Sequence, residues 1–202
     1  MAKYTIWVDD VVAECGCTKA MALSKIKAAV REFCNESGAW VHTPPPIVTQ
    51  EGIDTYLVPR LSGAVIRSVV KLEDQASKIK YHPAATIDDE HQGYRFKHPT
   101  PEKIRIFPQP RAGTRLDLDV TLNPKPGSDD IADVIADRWY DAILEGAFYR
   151  MKSMPKREWT DVAMAEGVHE PNFKRYINQA ELDSVVGHSD AVITVKHVAF
   201  GG

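Results

Sequence analysis

The chain has 202 residues, 44% of them hydrophobic and 26% charged, with a formal net charge of -3 at pH 7. That length suffices for one sizeable core, or for a compact domain carrying a smaller one as an insertion. The mild acidity argues against a surface built to hold nucleic acid by its phosphates, and no apolar run reaches the length of a transmembrane helix.

The opening MAKYTIWVDDVV interrupts its apolar residues with Asp9 and Asp10, unlike a signal peptide, so a soluble protein made inside a cell is expected. Cys15, Cys17 and Cys34 are odd in number and suit a reducing compartment as free thiols. From Thr5 to Glu14 the residues Trp7, Val8, Val11 and Val12 fall at helical spacing, with Gly16 placed for a left-handed cap. A second helix is expected from Thr18 as N-cap to Gly38, with Leu23, Ile26, Val30, Phe33 and Cys34 on one stripe.

Pro44, Pro45 and Pro46 then forbid helix and favour an extended entry. Short β-branched runs follow: TYLVP, AVIRSVVKL, KIKYH, YRFKH, KIRIF and RLDLDVTL. In KIRIF and RLDLDVTL apolar and polar residues alternate, as in half-buried antiparallel strands. After NPKPG, Ser128 as cap and Asp129 and Asp130 in a first turn predict one long helix from Asp129 to Met154, stopped by Pro155. A shorter helical stretch near Trp159 to Glu166 and a last helix with Pro171 near its first position come next. The end, AVITVKHVAFGG, reads as an extended tail.

The expected fold class is α+β: a helical bundle interrupted by an inserted small antiparallel β-sandwich or barrel-like domain. Residues 1–42 and 124–188 would form the bundle, 43–123 the inserted β domain and 189–202 the tail. The predicted long helix has bulky apolar groups on two faces. At 100° per residue, Ile131, Ile135, Trp139, Ala142, Gly146 and Tyr149 span roughly 0° to 80°, a core stripe. Tyr140, Leu144, Phe148 and Met151 span roughly 180° to 260° as a second stripe, with Arg138, Asp141, Glu145 and Lys152 between the two. The second stripe packs either under other parts of the same chain or against a neighbouring copy.

No catalytic motif emerges. Cys15 and Cys17 are too close for the usual zinc-ligand gap, and Cys34 sits on an apolar stripe as a small core residue would. DDEHQ, with Asp88, Asp89 and His91, could be imagined as a metal or acid/base site, against the plainer reading of a solvated loop. The prolines read as a rigid connector, and Trp40, Trp139 and Trp159 as core or interface anchors. No phosphate-binding glycine loop, nucleophile elbow or HExxH helix is present.

Four stretches carry a resemblance: REFCNESGAWVHT, then YLVPRLSGAVIRSV, then RWYDAILEGAFYRMKSMPKREWTD, and FKRYINQA. Their order and spacing, over Thr18 to Ala180, are similar to head-to-tail adaptor (connector) proteins of tailed bacteriophages, of the tail tubular protein A type. The resemblance implies a structural virion protein of the neck, made in the host bacterial cytoplasm, without enzymatic activity, cofactor, metal or membrane. It implies a homo-oligomeric ring, usually of twelve copies, beneath the portal protein, presenting a platform to the next tail or nozzle protein, with DNA passing through the lumen unread. In such a ring Tyr140, Leu144, Phe148 and Met151 are candidate subunit-interface residues. Val192, Ile193, Val195, Val198 and Phe200 would belong to an arm that reaches the portal or tail. The alternatives are another neck or tail-completion ring such as a tail terminator, a small metal-dependent hydrolase using His91 with Asp88 or Asp89, and a sugar-binding module in the β unit.

Overall fold

A computed structural model describes residues 1–84 and 93–186. A 3-10 turn, Tyr4–Trp7, leads into α1, Val8–Cys15, which ends at Gly16. Gly16 has φ 63° and donates its N–H to the Val12 carbonyl at 2.8 Å, the left-handed cap that a side chain would strain. α2, Lys19–Ser37, begins at Thr18, whose hydroxyl accepts the Met21 N–H at 3.4 Å, and ends at Gly38 with φ 64°. Both ends lie where the sequence places them. Ile26, Val30, Phe33 and Cys34 are fully buried along α2.

The strands form three sheets. β1 (Ala2–Lys3) pairs with β10 (Asp130–Ile131). The second sheet is built around β9, Arg115–Pro124, with β2 (Val41–His42) and β3 (Ile47–Val48) on one flank and β5 (Ala64–Asp74) on the other. The β5–β9 pairing is antiparallel from Ala64↔Pro124 to Asp74↔Leu116 with two register shifts. Along β9, Leu116, Leu118, Val120 and Leu122 are buried and alternate with the less buried Asp117, Asp119 and Asn123, as the period of two requires, while Thr121 between Val120 and Leu122 is buried as well. The third sheet has the order β4 (Thr55–Leu57), β8 (Lys103–Phe107), β7 (Arg95–Thr100), β6 (His82–Pro83), with β6 parallel to β7.

The helices after the strands are α3 (Asp133–Arg138), α4 (Tyr140–Lys152), α5 (Val162–Met164), a π turn (Ala165–His169) and α6 (Glu170–Val186). α4 packs on α2 and α6, while α2 also lies on β9.

The mixed α and β content agrees with the expected class, and the helical bundle interrupted by a sandwich or barrel-like insertion does not. Ten strands among the described residues outnumber the helices. Three physical causes account for the difference. Ser128 does not cap a helix: its hydroxyl donates to the Asp130 carbonyl, and Asp130 joins β10, where its carboxylate meets Lys3 at 2.6 Å while Asp129 meets Lys27 at 2.9 Å. The predicted long helix then breaks at Trp139 (φ -117°, ψ 24°), whose buried ring packs on Phe33 with centroids 5.4 Å apart. Finally, α2 spends part of its apolar face on β9, so the helices close no bundle around a core of their own. The expected gap before Pro171 is also filled. The helical run continues through the π turn, where the ladder widens just before a residue that has no N–H to donate.

Where α4 meets α6, the Phe173 ring lies directly over Gly146. A Cβ there would stand 2.6 Å from the Phe173 ring, whereas one on Gly167 would meet nothing within 4 Å. Gly146→Ala is therefore expected to destabilise by about 1–3 kcal/mol through overpacking. Gly167→Ala should stabilise by up to about 1 kcal/mol through helix propensity. Urea denaturation of the two variants checks this, and a neutral Gly146→Ala would contradict the close approach.

Candidate functional site

The first face of α4 is core. Ala142, Ile143, Ala147 and Met151 are fully or almost fully buried, as is Gly146. At its later end Arg150 pairs with Glu32, donates to the Gly146 carbonyl at 2.7 Å and lies 5.3 Å from the Phe173 ring centroid, a cation–π contact made in a largely dry setting. Lys152 donates to Glu14 at 2.9 Å, which ties α4 to α1 and, with burial opposing, raises the lysine above its ordinary value.

The second stripe begins at Tyr140. Its ring stacks on Trp7 with centroids 5.6 Å apart and planes 26° from parallel. The Trp7 indole N–H donates to the Tyr140 carbonyl at 3.1 Å. The Tyr140 hydroxyl lies 2.7 Å from the Asp10 carboxylate and 3.1 Å from the Ile6 carbonyl. Burial, reinforced by the hydrogen bond to Asp10, pushes this phenol from its ordinary 10.0 to about 12.

Leu144 and Phe148 are half-buried, and Met151 is wholly enclosed by its own chain. The Phe148 ring lies 5.3 Å from His169, which is 8% exposed in the π turn. His169 Nδ1 is 2.7 Å from Glu145 Oε2, and Asn172 donates to the other oxygen of that carboxylate at 3.5 Å. The His169 Nε2 is buried without a hydrogen-bond partner. Thus Tyr140, Leu144 and Phe148 lie half-buried on α4, with Trp7 against Tyr140 and His169 against Phe148, whereas Met151 belongs to the buried face. Sequence reasoning missed both partners. Trp7 was assigned only to its own helix, and His169 fell between two predicted helical stretches. α5 and the π turn, which pack on α4, present Val162, Met164 and Val168 to solvent.

Among the described residues the reactive side chains form no site. Cys15, Cys17 and Cys34 are free and buried, and burial pushes the Cys15 thiol to about 11 and that of Cys34 to about 12. Neither supplies thiolate at neutral pH. Among the described residues no three of His, Cys, Asp and Glu gather as metal ligands would, and no helix is long and apolar enough to cross a membrane. Asp88, Asp89 and His91 lie outside the described residues, as do Val192, Ile193, Val195, Val198 and Phe200.

Because Tyr140 ionises at a higher pH folded than unfolded, the stability this contributes is whole below pH 10 and is lost as pH rises through about 12. Tyr4, deeply buried, is shifted in the same direction. Tyr140→Phe should cost about 1 kcal/mol at neutral pH for the lost hydrogen bond and lose less stability than the parent in that alkaline window. Denaturation midpoints of both proteins across the window check the sign, and parallel curves would contradict it.

The family model described as SU10 adaptor protein matches residues 3–193, nearly the whole chain. No curated protein matches it. Apart from Ala2, the first residue of β1, the sheets and helices described above fall within that span, and the chain belongs to the SU10 adaptor protein family, the phage head-to-tail adaptors.

Proposed function

We propose that this adaptor forms a ring of twelve copies in the neck of the virion, beneath the portal protein, and links the DNA-filled capsid to the next tail or nozzle protein. The observation that carries the reading is the adaptor family match across residues 3–193. In a ring each subunit meets two neighbours through unlike surfaces, and the contact closes because the rotation does. The half-exposed edges of Tyr140, Leu144 and Phe148 are the candidate contact, with Met151 holding the helix from beneath. The exposed Val162, Met164 and Val168, on elements that pack on α4, support an apolar contact there. Val192, Ile193, Val195, Val198 and Phe200 serve as the arm toward portal or tail. DNA crosses the lumen without being read, which the net charge of -3 favours. The protein is made in the host cytoplasm and has no catalytic role.

Infection with phage whose copy of this gene is stopped early should yield DNA-filled heads and free tails, and supplying the protein in trans should restore joining. Tailed, infectious particles made in its absence would sink the proposal. Supplying Leu144→Asp instead should leave heads unjoined although the variant folds, as far-UV circular dichroism would show. Joining at the parental level would remove the stripe from the interface.

A further inference from the structure

Beside the third sheet lies a cleft lined by none of the residues proposed above for assembly. We infer that this cleft, of about 360 Å³, binds a neutral saccharide. Its walls include Tyr81, Tyr94, Asp74, Ser77, Gln109 and Arg111, and the volume lies in the range of small-molecule pockets.

The cleft is preformed. On one side Asp74 closes a turn, accepting the Ala76 N–H at 2.9 Å and the Ser77 hydroxyl at 2.6 Å, while Lys78 N–H reaches the Asp74 carbonyl at 2.9 Å. On the other, the loop from Pro108 to Thr114 is clamped to the buried Thr49. Gly113 N–H donates to the Thr49 carbonyl and Thr49 N–H to the Thr114 carbonyl, each at 2.9 Å, and the Thr49 hydroxyl donates to the Arg111 carbonyl. Gln75 N–H joins the two sides by donating to the Arg115 carbonyl at 2.9 Å. With its amide oxygen accepting the Gly52 and Ile53 N–H groups, Gln109 keeps its NH2 for another acceptor.

The chemistry of the lining selects the ligand. Tyr81 stands edge-on to Tyr94, with centroids 5.4 Å apart and planes 81° from parallel, and Tyr94 is 43% exposed, an aromatic surface against which a flat apolar face can pack. The Arg111 guanidinium and the tyrosine hydroxyls have no hydrogen-bond partner among the described residues, and Arg111 makes no ion pair with Asp74. An anion would meet the Asp74 carboxylate and a cation would meet Arg111. A sugar ring satisfies both: its hydroxyls donate to Asp74 and accept from Arg111 and Gln109, while a C–H face covers Tyr94. An adjoining depression of about 630 Å³ shares Asp74, Arg111 and Thr114, so a second ring can continue the first.

Saturation-transfer NMR on the full chain with methyl β-glucoside, lactose and N,N′-diacetylchitobiose at millimolar concentration tests this. At least one should receive saturation, and Tyr94→Ala and Arg111→Gln should each weaken its binding by about tenfold, roughly 1.4 kcal/mol. Both positions are exposed, and unchanged denaturation midpoints would confirm that the variants fold. No transfer to any of the three sugars, or binding that survives both substitutions, would overturn the inference. Shifts at Arg111 produced by inorganic phosphate or acetate and by none of the sugars would overturn it in favour of an anion site.

Discussion

The packing of the helical layer depends on how closely α4 can approach α6, and Gly146 sets that distance by lacking a side chain. The Phe173 ring occupies the space a Cβ would need. It is covered by the Arg150 guanidinium and reaches Phe33 on α2 with centroids 6.4 Å apart. Phe33 in turn holds Trp139 at the break between α3 and α4. Through α2 the same layer rests on β9, whose buried leucines continue one apolar cluster into the sheet. Dense interiors transmit such constraints because voids cannot absorb them. The position of the outer face of α4 follows in part from this contact.

Features fixed by nearest neighbours were legible before the structure. Thr18, Gly16 and Gly38 cap helices by local geometry, and the alternation in RLDLDVTL needs only the period of a pleated strand. Features decided by distant partners were not. Ser128 to Asp130 carry a helix-start signal, yet Lys3 and Lys27 draw the two acids into ion pairs and the backbone pairs with Ala2–Lys3. Trp139 carries a helical stripe onward, yet burying its ring against Phe33 coincides with the break. Adding up the helical segments produced the notion of a bundle, because nothing in the apolar face of α2 says that β9 would share it. In the candidate site the half-buried Tyr140, Leu144 and Phe148 were readable as neighbours on α4 from spacing, whereas the full burial of Met151 was not. The partners of Tyr140 and Phe148 were hidden, since Trp7 lies 133 positions from Tyr140 and the chain between them folds into three sheets.

The chemistry that is present suits a scaffold. Its thiols are sealed and hard to ionise, and its charged pairs at Arg150–Glu32 and Lys152–Glu14 tie α4 to α2 and α1. Partly buried pairs of this kind hold relative orientation more than they add net stability. The chain's remaining apolar surface includes the half-buried Leu144 and Phe148 and the exposed Val162 and Val168.

The most direct measurement is the native mass of the purified protein, alone and after mixing with the portal ring encoded by the same genome. The account predicts that the protein joins the portal in a fixed multiple, with twelve copies bound at saturation. A strict monomer that leaves the portal's mass unchanged would contradict it and return the second stripe of α4 to a purely internal role.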